Sequence, residues 1–147
     1  MRNSKKNTVL AIAQDVLAKN DLGQSTKPAP GLYPHQWLWD SCFVAIGIRW
    51  LNVERAKLEI RSLLKGQWDN GTMPHIIFSD EKGYHFGPSK WQSRKFGGPS
   101  TLPTSCITQP PMLAEAVFRV GELLPRTERT AWYAETLPSV IAYHDWL

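Results

Sequence analysis

The residues best suited to bind a ligand lie in one aromatic segment, YPHQWLWDS. Tyr33, Trp37 and Trp39 alternate there with Gln36 and Asp40. A sugar ring packs its C–H face on an indole, while its hydroxyls need fixed donors and acceptors such as amides and carboxylates. Tryptophans are more often core residues, but the polar neighbours Gln36 and Asp40 favour a binding role for at least one of these two indoles. We therefore expect one indole in the core and the other at a sugar-binding site.

Two further segments contribute candidate ligands for a polar molecule. In QWDNGTMPHIIF, a turn at Asp69-Asn70-Gly71 precedes His75. In TSCITQPPM, Gln109 lies where a helix is predicted to begin, so backbone amides and a side-chain amide meet there. Both residues also have structural interpretations. A single histidine is commonly a satisfied structural group, and Gln109 can cap its own helix.

The charge of the chain is unevenly distributed. The 147 residues contain 17 Lys and Arg against 13 Asp and Glu, a net charge of +4. No acidic residue lies between Glu81 and Glu115, whereas that interval contains the cations Lys82, Lys90, Arg94 and Lys95. Neither a dense basic stripe nor a nucleic-acid motif is present, so nucleic-acid binding is not expected. The interval fits a basic loop over a small anionic ligand and a solvated surface loop equally well.

Other kinds of chemistry lack their sequence signatures. No phosphate loop, dinucleotide fingerprint, HExxH or GxSxG motif occurs, so no cofactor is expected. Metal-ligand spacing is missing from the histidines, which are His35, His75, His85 and His144. No apolar run is long enough to span a membrane. Cys42 and Cys106 fit a reducing, cytoplasmic setting, with a single bridge between them as the alternative.

Apolar periodicity predicts the helices that must position these residues. They are expected at residues 7–20, from Asp40 through Trp50, from after Asn52 to Gly66, from Thr108 to near Leu124, and from Thr127 onward. Asn7 or Thr8 is expected to cap the first helix and Asp40 the second, while Pro110 and Pro111 are expected in the first turn of the fourth. Pro138 is expected to kink the last helix or to begin a new one.

Strand signals are weak, so the predicted class is all-α, built of helical hairpins. Only MPHIIF, residues 73–78, has strand character. A long Gly/Pro-rich loop interrupts the helices, since 9 of the 29 residues from Gly83 to Pro111 are Gly or Pro. Loops of this length are usually functional or disordered, and the aromatics Trp91 and Phe96 argue against disorder.

Hydrolysis of a glycosidic bond normally requires two carboxylates, one acid and one base or nucleophile. The candidates are Asp40, Asp69, Asp80, Glu81 and Glu115. Asp40 alone lies among sugar-type residues, and a helix N-terminus favours its ionised form. An ionised carboxylate suits the binding of sugar hydroxyls and does not suit a general acid. The residues therefore predict a sugar cradle without a catalytic pair.

The C-terminal residues keep helical periodicity up to the last position, through Val140, Ile141, Tyr143, Trp146 and Leu147. Neither a glycine or asparagine cap nor a polar tail follows them. We expect residues 1–147 to be the N-terminal part of a single, longer helical domain.

Four motifs together resemble a known family: YPHQWLWDSCFVAIG, QWDNGTMPHIIF, YHFGPSKW and SCITQPP. In order and spacing they are similar to the glycoside hydrolase family 63 type of (α/α)6-barrel enzymes. Within it they most resemble bacterial mannosylglycerate and glucosylglycerate hydrolases. The resemblance runs from about residue 8 to the end. It implies part of an (α/α)6 toroid barrel and inverting hydrolysis of an α-glycosidic bond.

The resemblance also implies roles for individual residues. The positions that match the family's sugar site are Tyr33, Trp37, Trp39 and Asp40, with Gln36 close by, Gln109 on a sugar hydroxyl, and His75 and Tyr84 near the site. The loop from Gly83 to Thr104, called the basic loop below, corresponds to a mobile lid over the glycerate side. Its charge fits a small glycoside substrate that carries a carboxylate.

The departure from the family concerns the catalytic carboxylates. The family's general acid lies in a motif near GxDNSPxWD, shortly after the helix that here ends in YHDWL, and its general base is a Glu much further on. Neither region occurs in this sequence, so the resemblance implies one sugar subsite and no catalytic residue. Three alternatives stay open: a non-catalytic carbohydrate-binding fragment, a related α-glucosidase or trehalase-like enzyme, and a poorly folding remnant of a broken gene.

Overall fold

Helices dominate the computed structural model, which describes residues 2–80, 84 and 86–147. The helices are α1 (Arg2–Asn20), α2 (Leu38–Ile48), α3 (Val53–Leu64), α4 (Pro88–Trp91), α5 (Leu113–Glu122) and α6 (Arg126–Trp146), with a 3₁₀ helix at Ser93–Phe96. Two short strands, β1 (Gln36–Trp37) and β2 (Ile76–Ile77), pair antiparallel. The predicted all-α class is confirmed, and the two short strands form a small local sheet within it.

The core forms where α2, α3, α5 and α6 pack against one another. Each helix buries one apolar stripe at helical spacing. The stripes are Leu38, Cys42 and Ala45 on α2; Ala56, Ile60 and Leu63 on α3; Leu113, Ala116, Val117 and Val120 on α5; and Trp132, Val140 and Tyr143 on α6. The indole N–H of Trp132 donates to the carbonyl of Val117 at 2.9 Å, so this large buried ring has its polar atom satisfied.

Three predicted helix starts are wrong, and those of α2 and α5 are wrong for different reasons. Helix α2 begins at Leu38 rather than Asp40. Its N-cap residue, Trp37, makes no side-chain hydrogen bond to the first turn. Asp40 therefore lies inside the first turn and does not cap the helix. Helix α5 begins at Leu113 rather than Thr108. Pro110 and Pro111 follow each other, and a residue that precedes proline is disfavoured in the helical region, so the helix is delayed past both.

Helix α3 matches its prediction, because its cap is local. Asn52 accepts a hydrogen bond from the backbone N–H of Arg55 at 2.9 Å, and the helix ends at Leu64. Helix α6 runs continuously through Pro138. Buried Trp132 and Val140 lie on either side of that proline, so packing against α5 outweighs the local preference to break.

Helix α1 begins at Arg2, five residues before the predicted start, so neither Asn7 nor Thr8 is its cap. Its apolar side chains are largely exposed, including Val9, Ile12 and Val16. The apolar periodicity that predicted α1 therefore does not correspond, among the described side chains, to a face buried in the protein core.

The described part of the Gly/Pro-rich loop contains more regular structure than its periodicity indicates. It contains α4 and the 3₁₀ helix, joined by Gln92 in the left-handed region at φ 49°. Trp91 and Tyr84 pack against a small cluster of Trp37, Ile76 and Phe78. Aromatic side chains of the loop thus cover the β1–β2 sheet. The predicted strand at 73–78 is confirmed only for Ile76–Ile77.

Candidate functional site

A cavity of about 260 Å³ opens where β1 runs into α2. Its lining residues are Pro28, Tyr33, Trp37, Trp39, Asp40 and Gln109, and this cavity is called the aromatic pocket below. Five of the eight residues predicted to bind a sugar are in that list. Three others, Gln36, His75 and Tyr84, are placed around it and not in its lining.

The two indoles of the pocket have different surroundings. Trp37 ends strand β1 and is 5% exposed, whereas Trp39 lies in the first turn of α2 and is 40% exposed. Tyr33 contacts Trp37 edge-on, with ring centroids 5.3 Å apart. The structure thus gives one buried and one accessible indole, as expected, although the chain turns into a helix between them. Both border the same cavity.

Gln109 joins the pocket to the first turn of α2 across the fold. Its Oε1 accepts the backbone N–H of Trp39 at 3.2 Å, one of the free donors of the helix N-terminus. This bond supplies the cap that Trp37 and Asp40 do not, and Gln109 caps α2 rather than its own helix. The remaining Nε2 group of Gln109 makes no protein hydrogen bond among the described residues. A ligand therefore meets a donor at this position.

Tyr143 of α6 supports Gln109 from behind. Its hydroxyl donates to the carbonyl of Gln109 at 3.1 Å and lies 2.6 Å from the hydroxyl of Thr108. The ring is fully buried. Gln109 is therefore tied to α2 through its side chain and to α6 through its backbone, which fixes the direction of its amide.

Asp40 is the carboxylate of the pocket, and its ionisation differs from the expectation. Burial raises the pKa of Asp40 above its ordinary value of 3.8. Hydrogen bonds from its own backbone N–H and from the Trp39 side chain lower the pKa, but less than burial raises it. The helix N-terminus therefore does not make Asp40 unusually acidic. Half-burial dominates, and the carboxylate becomes protonated at a higher pH than a free aspartate does.

Gln36 is 2% exposed, and both ends of its amide are occupied by protein groups. Its Nε2 donates to the hydroxyl of Ser41 at 3.1 Å and to the carbonyl of Glu59 at 3.3 Å. Its Oε1 accepts from the hydroxyl of Ser62 at 2.9 Å. The structure thus places Gln36 behind the pocket, in contact with α2 and α3.

His75 and Tyr84 lie on the β1–β2 side of the pocket. Burial lowers the pKa of His75, so its imidazole is neutral at pH 7, and its Nδ1 is buried with no hydrogen-bond partner among the described residues. Its ring lies 5.1 Å from that of Trp91. Tyr84 contacts Trp37 edge-on at 5.4 Å, which places it directly behind the buried indole.

The basic loop forms a second cavity, of about 330 Å³, lined by Pro88, Ser89, Gln92, Ser93, Arg94, Lys95 and Pro103. Arg94 donates to the carbonyl of Ser100 at 2.9 Å, and Lys90 lies over the ring of Phe86 at 4.6 Å. Arg94 and Lys95 are exposed and border the cavity. Lys82, Gly83 and His85 lie outside the described residues.

The remaining candidate carboxylates do not join Asp40. Asp69, Asp80 and Glu115 are exposed, and Glu115 pairs with Arg119 at 2.7 Å; Glu81 lies outside the described residues. Both cysteines are free, and burial raises the pKa of Cys42, with the charges of Glu59 and Asp40 raising it further. The Cys42 thiol is thus protonated at neutral pH and is a poor nucleophile.

Sequence reasoning missed three residues that shape the pocket. Pro28 lines it from the turn-rich stretch that follows α1. Tyr143 fitted the apolar stripe of α6, which gave no signal for its hydroxyl. Glu59 lies fully buried on α3 behind Gln36, although its charge predicted an exposed position. In each case the missing information is which distant segment packs against the residue.

An all-helical fold with an aromatic pocket that presents an amide donor and a carboxylate is suited to carbohydrate recognition. A family profile, "Mannosylglycerate hydrolase MGH1-like glycoside hydrolase domain", matches residues 33–147. The chain belongs to this glycoside hydrolase family. The match covers every residue of the aromatic pocket except Pro28.

Relatives in the family include enzymes with named substrates. The chain is 43% identical to the glucosylglycerate hydrolase of Mycolicibacterium hassiacum over 146 residues, covering 93% of this chain and 33% of that protein. It is 42% identical to the mannosylglycerate hydrolase of Thermus thermophilus, covering 92% and 32%. The chain thus spans about a third of the length of these curated relatives.

A solved structure is similar in fold. A GH63 mannosylglycerate hydrolase of Thermus thermophilus, determined in complex with Tris and D-glycerate, matches with a TM-score of 0.82 and 38% identity. The match covers 92% of this chain and 32% of that one.

Among the described residues, none of the helices combines the length and the apolar character that a membrane span requires.

Proposed function

We propose that this chain supplies the sugar-binding subsite of an enzyme that hydrolyses the α-glycosidic bond of glucosylglycerate or mannosylglycerate, with inversion at the anomeric carbon. The observation that carries the proposal is the convergence of Trp39, Asp40 and Gln109 on one pocket. An accessible indole packs against a ring face, Asp40 accepts from sugar hydroxyls, and Gln109 donates to a hydroxyl oxygen. The names of the relatives supply the glycerate part of the proposal.

The basic loop is proposed to attract the carboxylate of the glycerate. Arg94 and Lys95 border a cavity in a stretch without acidic residues, so the local potential favours an anion. His75 and Tyr84 are proposed to contribute from the β1–β2 side of the aromatic pocket. Gln36 is proposed to act through the backbone that it holds, because its amide is already occupied.

Residues 1–147 are proposed to be part of a single (α/α)6 glycoside hydrolase domain, with the general acid and base carried elsewhere in the intact protein. The described residues that line the pocket include one carboxylate, that of Asp40, whereas glycoside hydrolysis normally requires two. This supports placing the general acid and base elsewhere in the intact protein. A cytoplasmic location is proposed as well, and the two free cysteines fit a reducing compartment.

Hydrolysis by the intact protein, as its host produces it, tests the proposal. Glucosylglycerate, mannosylglycerate, trehalose and maltose are offered separately, and the released sugar and its anomer are followed by proton NMR. We expect release of D-glycerate and a β-anomer as first product. Turnover of trehalose or maltose without turnover of either glycerate glycoside would assign a glucosidase of another specificity.

A second candidate, non-catalytic sugar binding, is favoured by the single carboxylate among the described residues that line the pocket. It predicts a measurable affinity for the glycerate glycosides by calorimetry and no turnover of any of them. Affinity with turnover would exclude it.

A further inference from the structure

Glu59 is a fully buried charged residue that lies outside the aromatic pocket. Its carboxylate accepts the backbone N–H of Thr26 at 3.1 Å, the hydroxyl of Thr26 at 2.8 Å and the guanidinium of Arg55 at 2.9 Å. It also accepts the hydroxyl of Ser41 at 2.5 Å and lies 3.4 Å from Nε2 of Gln36. One side chain of α3 thus binds the loop after α1, strand β1 and helix α2.

Two of these bonds involve Gln36 and Ser41, which flank the segment that forms one wall of the pocket. Gln36 directly precedes Trp37, and Ser41 directly follows Asp40. Ser41 accepts from Gln36 at 3.1 Å while it donates to Glu59, so the three side chains form one connected group. The segment between them, Trp37–Asp40, contains both indoles and the carboxylate of the aromatic pocket. Its two ends are therefore fixed to α3 by the same buried carboxylate.

A buried ion pair is by itself weak evidence for stability, because apolar residues of the same volume often serve as well. An apolar replacement does not reproduce the directions in which the hydrogen bonds of Glu59 hold their partners. Hydrogen bonds restrict both the distance and the angle between donor and acceptor. A repacked apolar core, in contrast, loses the uniqueness of its packing before it loses stability. A pocket that must align an indole, a carboxylate and the Gln109 amide depends on that alignment.

We propose that Glu59 is a positioning residue that holds Trp39 and Asp40 in register with Gln109. Glu59 does not touch the ligand; it acts through Gln36 and Ser41. This inference rests on the proposed sugar-binding function of the pocket, and its geometric part is tested without substrate.

The first arm follows the tryptophans directly in the intact protein. Labelling with 5-fluorotryptophan gives fluorine resonances that single Trp→Phe substitutions assign. Glu59→Gln keeps the volume but turns an acceptor into a donor, and Ser41→Ala removes one link without leaving a buried charge unpaired. We expect both variants to shift the Trp37 and Trp39 resonances and to leave that of Trp50, beyond the end of α2, in place.

Glu135→Gln is the matched control. Glu135 also pairs with an arginine of α3, Arg61 at 2.6 Å, but this pair is exposed and neither residue lines the pocket. The control should leave the Trp37 and Trp39 resonances unchanged. If Glu59→Gln lowers the melting temperature while both resonances stay in place, Glu59 is purely structural and the proposal fails. If Glu59→Gln does not fold, Ser41→Ala decides the same question.

The second arm is kinetic. Because displaced binding groups weaken uniform binding, we expect KM for the glycerate glycoside to rise more than kcat falls. The expected loss in kcat/KM is about ten- to a hundredfold for Glu59→Gln and about two- to tenfold for Ser41→Ala. Unchanged KM in both variants would overturn the proposal. A wild-type protein without turnover would defeat the proposed function, while the fluorine shifts would still decide the role of Glu59.

Discussion

The aromatic pocket and the basic loop are built in opposite ways. The pocket residues lie at the junction of β1 and α2, and their neighbours are tied into the core by Glu59 and Tyr143. The cations of the basic loop are exposed on two short helical turns joined by a left-handed residue, Gln92. The best-defined contact of Arg94 is a backbone carbonyl six residues away.

If the proposed function is correct, this difference predicts a division of labour between the aromatic pocket and the basic loop. A neutral sugar offers only hydroxyls and ring faces, so its recognition requires groups fixed in direction before binding. A carboxylate is attracted over a longer range by charge, so exposed surface cations suffice. The pocket is therefore expected to determine whether a sugar binds at all, and the loop to discriminate charged from neutral glycosides.

The largest expected effect comes from Asp40→Ala in the intact enzyme. Removing the carboxylate deletes an acceptor in a half-buried site, a loss of about 1–3 kcal/mol. We expect kcat/KM for the glycerate glycoside to fall at least about tenfold. Asp69→Ala, in an exposed turn, is the control and should leave kcat/KM unchanged. Wild-type kcat/KM in Asp40→Ala would remove Asp40 from the sugar site.

Tyr143→Phe tests whether the second half of the pocket is held from the core. The variant keeps the ring but removes the hydroxyl that bonds Thr108 and the Gln109 carbonyl. We expect a loss of about 1–2 kcal/mol in the free energy of unfolding, measured in urea, because buried partners lose a hydrogen bond. KM should rise as well. Normal stability together with normal KM would show that Gln109 needs no support from α6.

A smaller effect is expected from the double variant Arg94→Gln, Lys95→Gln. Exposed charge interactions contribute about 0–1 kcal/mol each, so KM for glucosylglycerate should rise about two- to fivefold. The rise should shrink at high salt and be absent for glucosylglycerol, which lacks the carboxylate. Lys65→Gln, at the exposed C-cap position that directly follows α3, is the control. Equal losses for both substrates would assign the loop a structural role instead.

The smallest effect is a pH dependence of stability that originates at Asp40. Because burial raises its pKa, the folded protein holds this proton more tightly than the unfolded chain does. Wild type should therefore lose stability relative to Asp40→Asn as pH rises from below 3.8 through the raised pKa. Melting temperatures of the two proteins across that interval measure the difference. A difference that moves the opposite way would mean that Asp40 is stabilised as a carboxylate.

The parts of the fold that sequence alone predicted are those that local chemistry determines. Asn52 and the following apolar stripe predicted α3 at both ends, because cap and helix are neighbours in sequence. The start of α2 was wrong because its cap, Gln109, comes from seventy residues away. Periodicity likewise predicted α1 without indicating that its apolar side chains are exposed.

The same rule applies to the candidate site. Tyr33, Trp37, Trp39, Asp40 and Gln109 were predicted from side-chain chemistry and family motifs, and the structure brings them together. Gln36 has the same side-chain chemistry as Gln109, but its amide is occupied by α2 and α3. Nothing in its immediate neighbours distinguishes the two glutamines. The packing of α2 and α3 behind β1 distinguishes them, because Ser41, Glu59 and Ser62 occupy the amide of Gln36.

The central claim is that the aromatic pocket binds the sugar of a glycerate glycoside. A crystal structure of the intact protein with a sulfur-linked, non-hydrolysable glucosylglycerate tests it most directly. The predicted result is a sugar ring against Trp39, with hydroxyls within hydrogen-bonding distance of the Asp40 carboxylate and the Gln109 Nε2. A sugar bound elsewhere, such as in the cavity beside Arg94 and Lys95, with the aromatic pocket unoccupied, would contradict the claim.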